Sequence, residues 1–209
     1  MFFLKKIISE FNSFGVFLLS FFPGYSGRLM RKIIFKNRLK SLGKNFYSEI
    51  GIVITYAKNI SIGHDCSFMR YSSIIACEKS MIEIGDNISV NYNVNINASN
   101  GGNIKIGNNV LIASNVVIRA ADHIFSNQDK LIKDSGHDGG QINIGNNVWI
   151  GSNCVILKNV NIGDGAVIGA GTIVTRDIQP NEVVVGSKQN RIKNRFDWSN
   201  LIFDFSNIL

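Results

Sequence analysis

The stretch INIGNNVWIGSNCVILKNVNIGDGAVIGAGTIV, residues 142–174, sets Ile or Val at 144, 150, 156, 162, 168 and 174. The step is six throughout. An α-helix repeats every 3.6 residues and a strand every 2, so neither alone carries this period. Gly and Asn at every turn also count against a helix. A short strand followed by a tight corner does fit. Gly145, Gly151, Gly163 and Gly169 follow the periodic aliphatics, where a corner needs small size or positive φ. Val148, Cys154, Val160, Ala166 and Thr172 precede or fall between them as compact residues suited to a second inward position. Three such flats close one coil of eighteen residues. Stacked coils pair their backbones about 4.8 Å apart and align the aliphatics as an internal ladder. The sequence predicts a parallel β-solenoid.

The same ladder extends upstream through Ile62, Phe68 and Ile74, then Ile84, Val90 and Ile96, then Ile106, Ile112 and Ile118. Coil starts at 62, 84 and 106 are 22 apart, so each of these coils carries four extra residues at a corner. From 106 to 144 is 38 residues, which leaves twenty beyond one coil for an inserted loop. That loop, 119–141, reads RAADHIFSNQDKLIKDSGHDGGQ; it breaks the period and is polar. Loops this long in compact folds are usually functional or disordered. Three segments are therefore expected: a basic, aromatic helical segment 1–48 broken at Pro23-Gly24, the solenoid 49–195, and an apolar tail 196–209 covering a face or an open solenoid end.

The net charge of +7 is unevenly placed. Residues 1–44 carry nine Lys or Arg against Glu10, a balance of +8, which leaves −1 for the rest. The aromatics Phe2, Phe3, Phe11, Phe14, Phe17, Phe21 and Phe22 lie before the basic cluster instead of interleaving with it. That favours an anionic membrane surface or an oligomer contact over nucleic acid. The apolar run 14–22 is too short to span a bilayer, and FFPGYSG is a poor signal-peptide cleavage site. Cys66, Cys77 and Cys154 form no disulfide framework, which points to a reducing, cytoplasmic setting. A peripheral contact with the inner face of the cytoplasmic membrane is compatible with this. The chain has no nucleotide-binding glycine loop, CxxC pair or HExxH motif.

IGNNVWIGSNCVILKNVNIGDGAVIGAGTIVTRDI, with NYNVNI upstream and ADH opening the loop, resembles the hexapeptide-repeat acyltransferases, in particular the galactoside and maltose acetyltransferase-like branch. The resemblance covers about residues 60–195. FFPGYSGRLMRKIIFKNRLKSLGKN is more weakly similar to the start of O-acetyltransferases of surface-polysaccharide clusters. The resemblance implies a left-handed β-helix, a homotrimer with sites between neighbouring copies, and acetyl-CoA as acyl donor with no metal required.

Acyl transfer to a hydroxyl needs a base that works near neutral pH, an oxyanion site and a slot for the thioester. Histidine is the natural base, and there are three: His64 in a repeat corner, His137 near the loop's far end, and His123 where the loop leaves the scaffold. The family's catalytic histidine matches His123. Asn91 matches an asparagine lining the acceptor site, although Asn also suits a left-handed corner. Asp122 is a further acceptor-side candidate through its charge, without a triad role. Trp149 precedes a ladder residue and should point outward, where the family places a Trp beside acyl-CoA and acceptor. Ser152 and Ala170 match contacts to the pantetheine arm, Thr175 and Arg176 the end of that groove, and Arg191, Lys193 and Lys188 the nucleotide phosphates. The family's usual Gly-x-Pro-Ala-Lys is replaced by GSKQNRIK, with Lys188 and Gln189 at the Pro and Ala positions, so the adenine end departs from the pattern.

The expected activity is O-acetylation of a sugar or glycan hydroxyl in bacterial surface-polysaccharide synthesis, with no nucleic acid partner. N-acetylation of a nucleotide- or lipid-linked amino sugar is the alternative, since the same base serves an amine. A non-catalytic scaffold is an alternative of another class. A zinc enzyme of the γ-carbonic anhydrase kind needs histidines a few residues apart, a spacing this chain lacks.

Overall fold

The computed structural model describes residues 14–186 and 189–196, apart from the Lys193 side chain. The expected tail contribution of 197–209, the residues before 14 and Lys188 lie outside the described residues. The body is a left-handed parallel β-helix of three walls. The first wall aligns Leu42, Ile62, Ile84, Ile106, Ile144 and Ile162. The second aligns Ser48, Phe68, Val90, Ile112, Ile150, Ile168 and Val184. The third aligns Ile54, Ile74, Ile96, Ile118, Ile156 and Val174. The six-residue period thus delivers one inward side chain per wall per coil, and nearly all of these are buried in one continuous core. The compact residues Val148, Cys154, Val160, Ala166 and Thr172 are buried beside them.

Of the two needs expected of the corner glycines, small size and positive φ, the structure shows the first. The left-handed residue is most often Asn, not the glycine after the aliphatic: Asn109, Asn115, Asn147, Asn153 and Asn159 all have φ between 56° and 61°, while Asp65, Tyr71, Gly165 and Gly171 take the same position in other coils. Their side chains form ladders between coils, with Asn93 donating to Asn115 at 3.0 Å and Asn115 to Asn153 at 3.1 Å. The preceding corner residue caps the coil below: Asn108 Oδ1 accepts from the Asp86 amide at 2.7 Å and Asn146 Oδ1 from the Asn108 amide at 2.8 Å. Gly151 is glycine for space. A Cβ there would lie 2.6 Å from the Ala170 amide nitrogen.

Each solenoid end is covered in part. At the start, helix α1 (residues 14–21) turns at Pro23 into helix α2 (Gly24–Arg38). Phe35 of α2 packs edge-on against Phe46, ring centroids 6.0 Å apart, and Phe46 packs on Phe68 at 5.7 Å. The first wall strand is Ser41–Leu42, so an expected boundary at 48 falls inside the first coil. Arg31 is only 1% exposed and leaves the basic surface counted from sequence. Its guanidinium donates to Phe22 O at 2.8 Å and twice to Ser48 O, at 3.0 and 3.3 Å. Burial pulls its pKa below the ordinary value, which Glu49 opposes and Arg28 reinforces; it remains a cation that ties α1 and α2 to the first coil. At the other end, Asn190–Asn194 runs antiparallel along Glu182–Val185 and covers that edge of the second wall.

Candidate active site

The inserted segment is a hairpin, not an open loop. Ala121–His123 pairs antiparallel with His137–Gly139, setting Ala121 opposite Gly139, Asp122 opposite Asp138 and His123 opposite His137. The two imidazoles face each other at 4.1 Å between centroids, inclined by 38°. Sequence reasoning set His137 apart from the site. The signal it missed is the reversed order, Ala-Asp-His answered by His-Asp-Gly, which an antiparallel pair brings into register. Two carboxylates directly opposed repel. Lys158, from the corner after the third wall of the next coil, relieves this: its Nζ is 2.5 Å from Asp138 and 3.9 Å from Asp122. Asp122 is thus engaged in holding the hairpin. The hairpin root is tied down by the Gly140 amide donating to Ala120 O at 2.7 Å and by Arg119 Nε donating to Ala121 O at 3.0 Å.

Beyond His123 the segment is less polar at its surface than its composition implies. Phe125, Leu131 and Ile132 are all exposed. The second wall presents a matching outward row, with Leu111, Trp149 and Val167 stacked in register. Trp149 does face outward and is 54% exposed.

The remaining candidates fall at two different corners. Asn91 follows Val90 at the end of the second wall, as Ser152 and Ala170 follow Ile150 and Ile168. Asn91 is not in the left-handed conformation; Asn93 is. The Asn91 side-chain oxygen accepts from the Tyr92 amide at 2.8 Å. Ser152 and Ala170 share a corner in successive coils, with the Gly171 amide donating to Ser152 O at 2.8 Å. His123, Thr175 and Arg176 lie instead at the far end of the third wall, where it hands over to the first. One chain therefore sets His123, Thr175 and Arg176 along one corner of the solenoid and Asn91, Trp149, Ser152 and Ala170 along another, at opposite ends of the third wall.

At the adenine end the departure from Pro-Ala has a structural content. Gln189, 2% exposed, accepts from the Thr175 and Arg176 amides through Oε1 at 3.0 and 3.2 Å. Its Nε2 donates to Arg176 O at 2.8 Å. Arg176 donates in return to Gln189 O at 3.1 Å. Gln189 was not a candidate from sequence, since nothing in GSKQNR marks one polar residue as inward. Arg191 lies 3.5 Å from Glu182, so its charge is shared with a carboxylate. The Lys193 side chain lies outside the described residues. His64 is a corner residue whose Nδ1 accepts from the Lys44 amide at 2.9 Å. Among the described residues no three His, Cys, Asp or Glu side chains converge as a metal site.

Fold and hairpin together define a hexapeptide-repeat β-helix with a histidine-bearing insertion at one corner. Residues 142–176 match the family described as Bacterial transferase hexapeptide (six repeats). The chain is 36% identical over 156 residues to galactoside O-acetyltransferase of Escherichia coli K12, a match covering 75% of this chain and 64% of that protein. It is 47% identical over 43 residues to the chloramphenicol acetyltransferase of Agrobacterium fabrum, a match covering 21% of each chain. The stretches matched thus span between about a fifth and two thirds of these relatives' lengths. Among solved structures, a galactoside acetyltransferase in complex with coenzyme A superposes with a TM-score of 0.61 at 28% identity, over 88% of this chain and 79% of that one. AntD, an N-acyltransferase from Bacillus cereus in complex with dTDP and 3-hydroxybutyryl-CoA, superposes with a TM-score of 0.67 at 22% identity, over 84% and 89%, a likeness of fold. In its repeat and its fold the chain is thus similar to the hexapeptide-repeat transferases.

Proposed function

We propose that this chain is an acetyl-CoA-dependent O-acetyltransferase for a sugar hydroxyl, acting in the cytoplasm on precursors of a bacterial surface polysaccharide, and that it works as a homotrimer. The observation that carries the reading is the division of the candidate residues between two corners. A cyclic trimer sets unlike corners of neighbouring copies against each other. His123 of one copy then faces Trp149, Ser152 and Ala170 of the next. The exposed Phe125, Leu131 and Ile132 of the hairpin supply what the outward row of Leu111, Trp149 and Val167 lacks, an apolar cover.

The chemistry follows from the parts. Trp149 and the exposed Ala170 flank a surface on which a pantetheine arm can lie against the coil, with Ser152 and Ala170 amides as hydrogen-bond donors. His123 takes the proton of the acceptor hydroxyl as its oxygen attacks the thioester carbonyl. Collapse of the tetrahedral adduct expels the thiolate, which recovers the proton from His123. No acyl-enzyme forms and no metal enters. Asp138 and Lys158 hold the strand that carries His137 against the strand that carries His123. The amine alternative uses the same base; 36% identity to an O-acetyltransferase along most of this chain supports the hydroxyl.

The test is thiol release from acetyl-CoA against a panel of sugars, amino sugars and lipid-linked intermediates. A sugar hydroxyl should stimulate release. His123→Ala should lose about 10²–10⁴-fold in turnover with acetyl-CoA binding within a few-fold, while His137→Ala stays largely active. Near-normal turnover in His123→Ala, or a dead His137→Ala, would overturn the assignment of the base. A preference for amines would replace the substrate class.

A further inference from the structure

The solenoid's first coil carries a surface that the acetyl-transfer reading does not use. On α1, Phe14, Phe17, Leu18 and Phe21 are all exposed, at the spacing of one helix face. On α2, Tyr25, Leu29 and Ile33 form a second exposed stripe with Met30 beside it, while Gly27, Arg31 and Phe35 face inward. Phe22, exposed between the helices, links the two stripes. No helix among the described residues is long and apolar enough to cross a membrane.

Its charge is of one sign. Between residues 14 and 48 the sequence has no Asp or Glu, but has Arg28, Arg31, Lys32, Lys36, Arg38, Lys40 and Lys44. Arg31 is consumed internally by backbone carbonyls. The others remain around the apolar stripes. Arg28 sits over the rings of Tyr25 and Tyr47, 6.0 and 5.2 Å from their centroids. These residues, with Leu29, Lys32 and Phe46, line a cavity of about 290 Å³. A basic, aromatic recess beside an apolar helix face suits a phosphate-bearing headgroup whose acyl chains meet the stripe.

We infer that α1 and α2 dock the protein in the interface of an anionic phospholipid membrane, with the apolar stripes among the upper acyl chains and the basic residues at the headgroups. A second copy of the chain is the rival occupant. A two-fold contact would set these basic residues against their own equivalents with no carboxylate in the segment to separate them. The membrane supplies the missing negative charge. Arg31 fits this role: by binding Ser20 O at 3.4 Å, Phe22 O and Ser48 O it fixes both helices to the rigid coil.

The experiment is sedimentation of the full chain with vesicles of phosphatidylglycerol and phosphatidylcholine, and with phosphatidylcholine alone, at low and high salt. Each basic side chain at such a surface strengthens binding about fivefold at low salt. The chain should pellet with anionic vesicles, less so as salt rises, and not with neutral ones. Lys32→Glu with Lys36→Glu should weaken binding by about a hundredfold or more. Phe17→Ser with Leu29→Ser should abolish it, with the far-UV circular dichroism and the oligomeric state in solution unchanged. Equal pelleting with neutral vesicles, or none with either, would overturn the proposal. So would a change of oligomeric state in Phe17→Ser with Leu29→Ser, which would assign the face to a contact between copies. Acetyl transfer to a soluble acceptor should survive in both variants, so loss of docking and failure of the enzymatic reading are separable.

Discussion

If the active site is assembled from unlike corners of two copies, two inactive chains should rescue each other by a calculable amount. His123→Ala removes the base from one corner. Ala170→Trp fills the other corner with an indole where the acyl-donor arm would lie; Ala170 is exposed, so the solenoid core is untouched. Each homotrimer should retain on the order of a hundredth of wild-type turnover or less. Co-expressed with different affinity tags and purified through both, every trimer contains two chains of one kind and one of the other. Going round a three-fold ring, such a trimer has one interface that joins an intact His123 corner to an intact Ala170 corner, whichever chain is in excess. Turnover per trimer should therefore return to about a third of wild type, with an unchanged KM for acetyl-CoA. The geometry leaves little freedom in this number, because His123 follows the third wall and Ala170 the second. Recovery of only a few per cent would mean that one chain supplies both halves of the site. Failure to obtain doubly tagged assemblies at all would remove the trimer itself.

Three further outcomes follow from contacts in the structure. Gln189→Ala removes a buried side chain that partners two part-buried amides and one carbonyl. At about 0.5–1.5 kcal/mol per hydrogen bond lost it should loosen Thr175 and Arg176, raising KM for acetyl-CoA more than it lowers kcat; an unchanged KM would detach this clamp from the proposed cofactor groove. Lys158→Met leaves Asp122 and Asp138 opposed without their cation, and should cut turnover about tenfold or more with little change in melting temperature, partly recovered by Asp138→Asn in the same chain; no recovery would refute the electrostatic account. Burial raises the thiol pKa of Cys66 and Cys154. At Cys77 burial also acts to raise it, but the hydrogen bond with Ser80 and the nearby Gly101, Lys79 and Asn100 amides outweigh this and lower it. A thiol reagent at neutral pH should therefore modify Cys77 quickly and the other two only on unfolding; three equally fast thiols would contradict the core packing.

The period of six was sufficient to read the walls. Every ladder residue assigned from sequence, from Ile62 to Val174, lies inward in one of three parallel sheets, because a fixed repeat leaves one way to bury one aliphatic per flat. The corners were legible only in part. Both Gly and Asn recur there, and the sequence does not say which of them adopts positive φ. The structure divides the work by sterics. Gly151 stands where a Cβ would strike the next coil's backbone, while Asn takes the left-handed position, where its amide can bond its equivalent one coil away. The first coil was hidden because Leu42, Ser48 and Ile54 include a serine on the ladder and follow a helix with no repeat of its own.

The candidate site shows the opposite limit. Its residue types were readable wherever a side chain stands on the periodic scaffold, as Trp149 does, since the period dictates which way such a residue points. The insertion has no period, so its internal pairing had to come from another signal. That signal was the mirrored ADH and HDG, which places His137 beside His123 and makes Lys158, a corner residue 35 positions after His123, part of the same cluster. Gln189 carried no signal, because its importance comes from a buried side chain that reaches two amides at the end of the third wall. Repetition therefore makes a β-helix readable where coils stack. Its irregular contacts gather where the repetition is broken, at the hairpin and at the last corner, and there they must be seen in three dimensions.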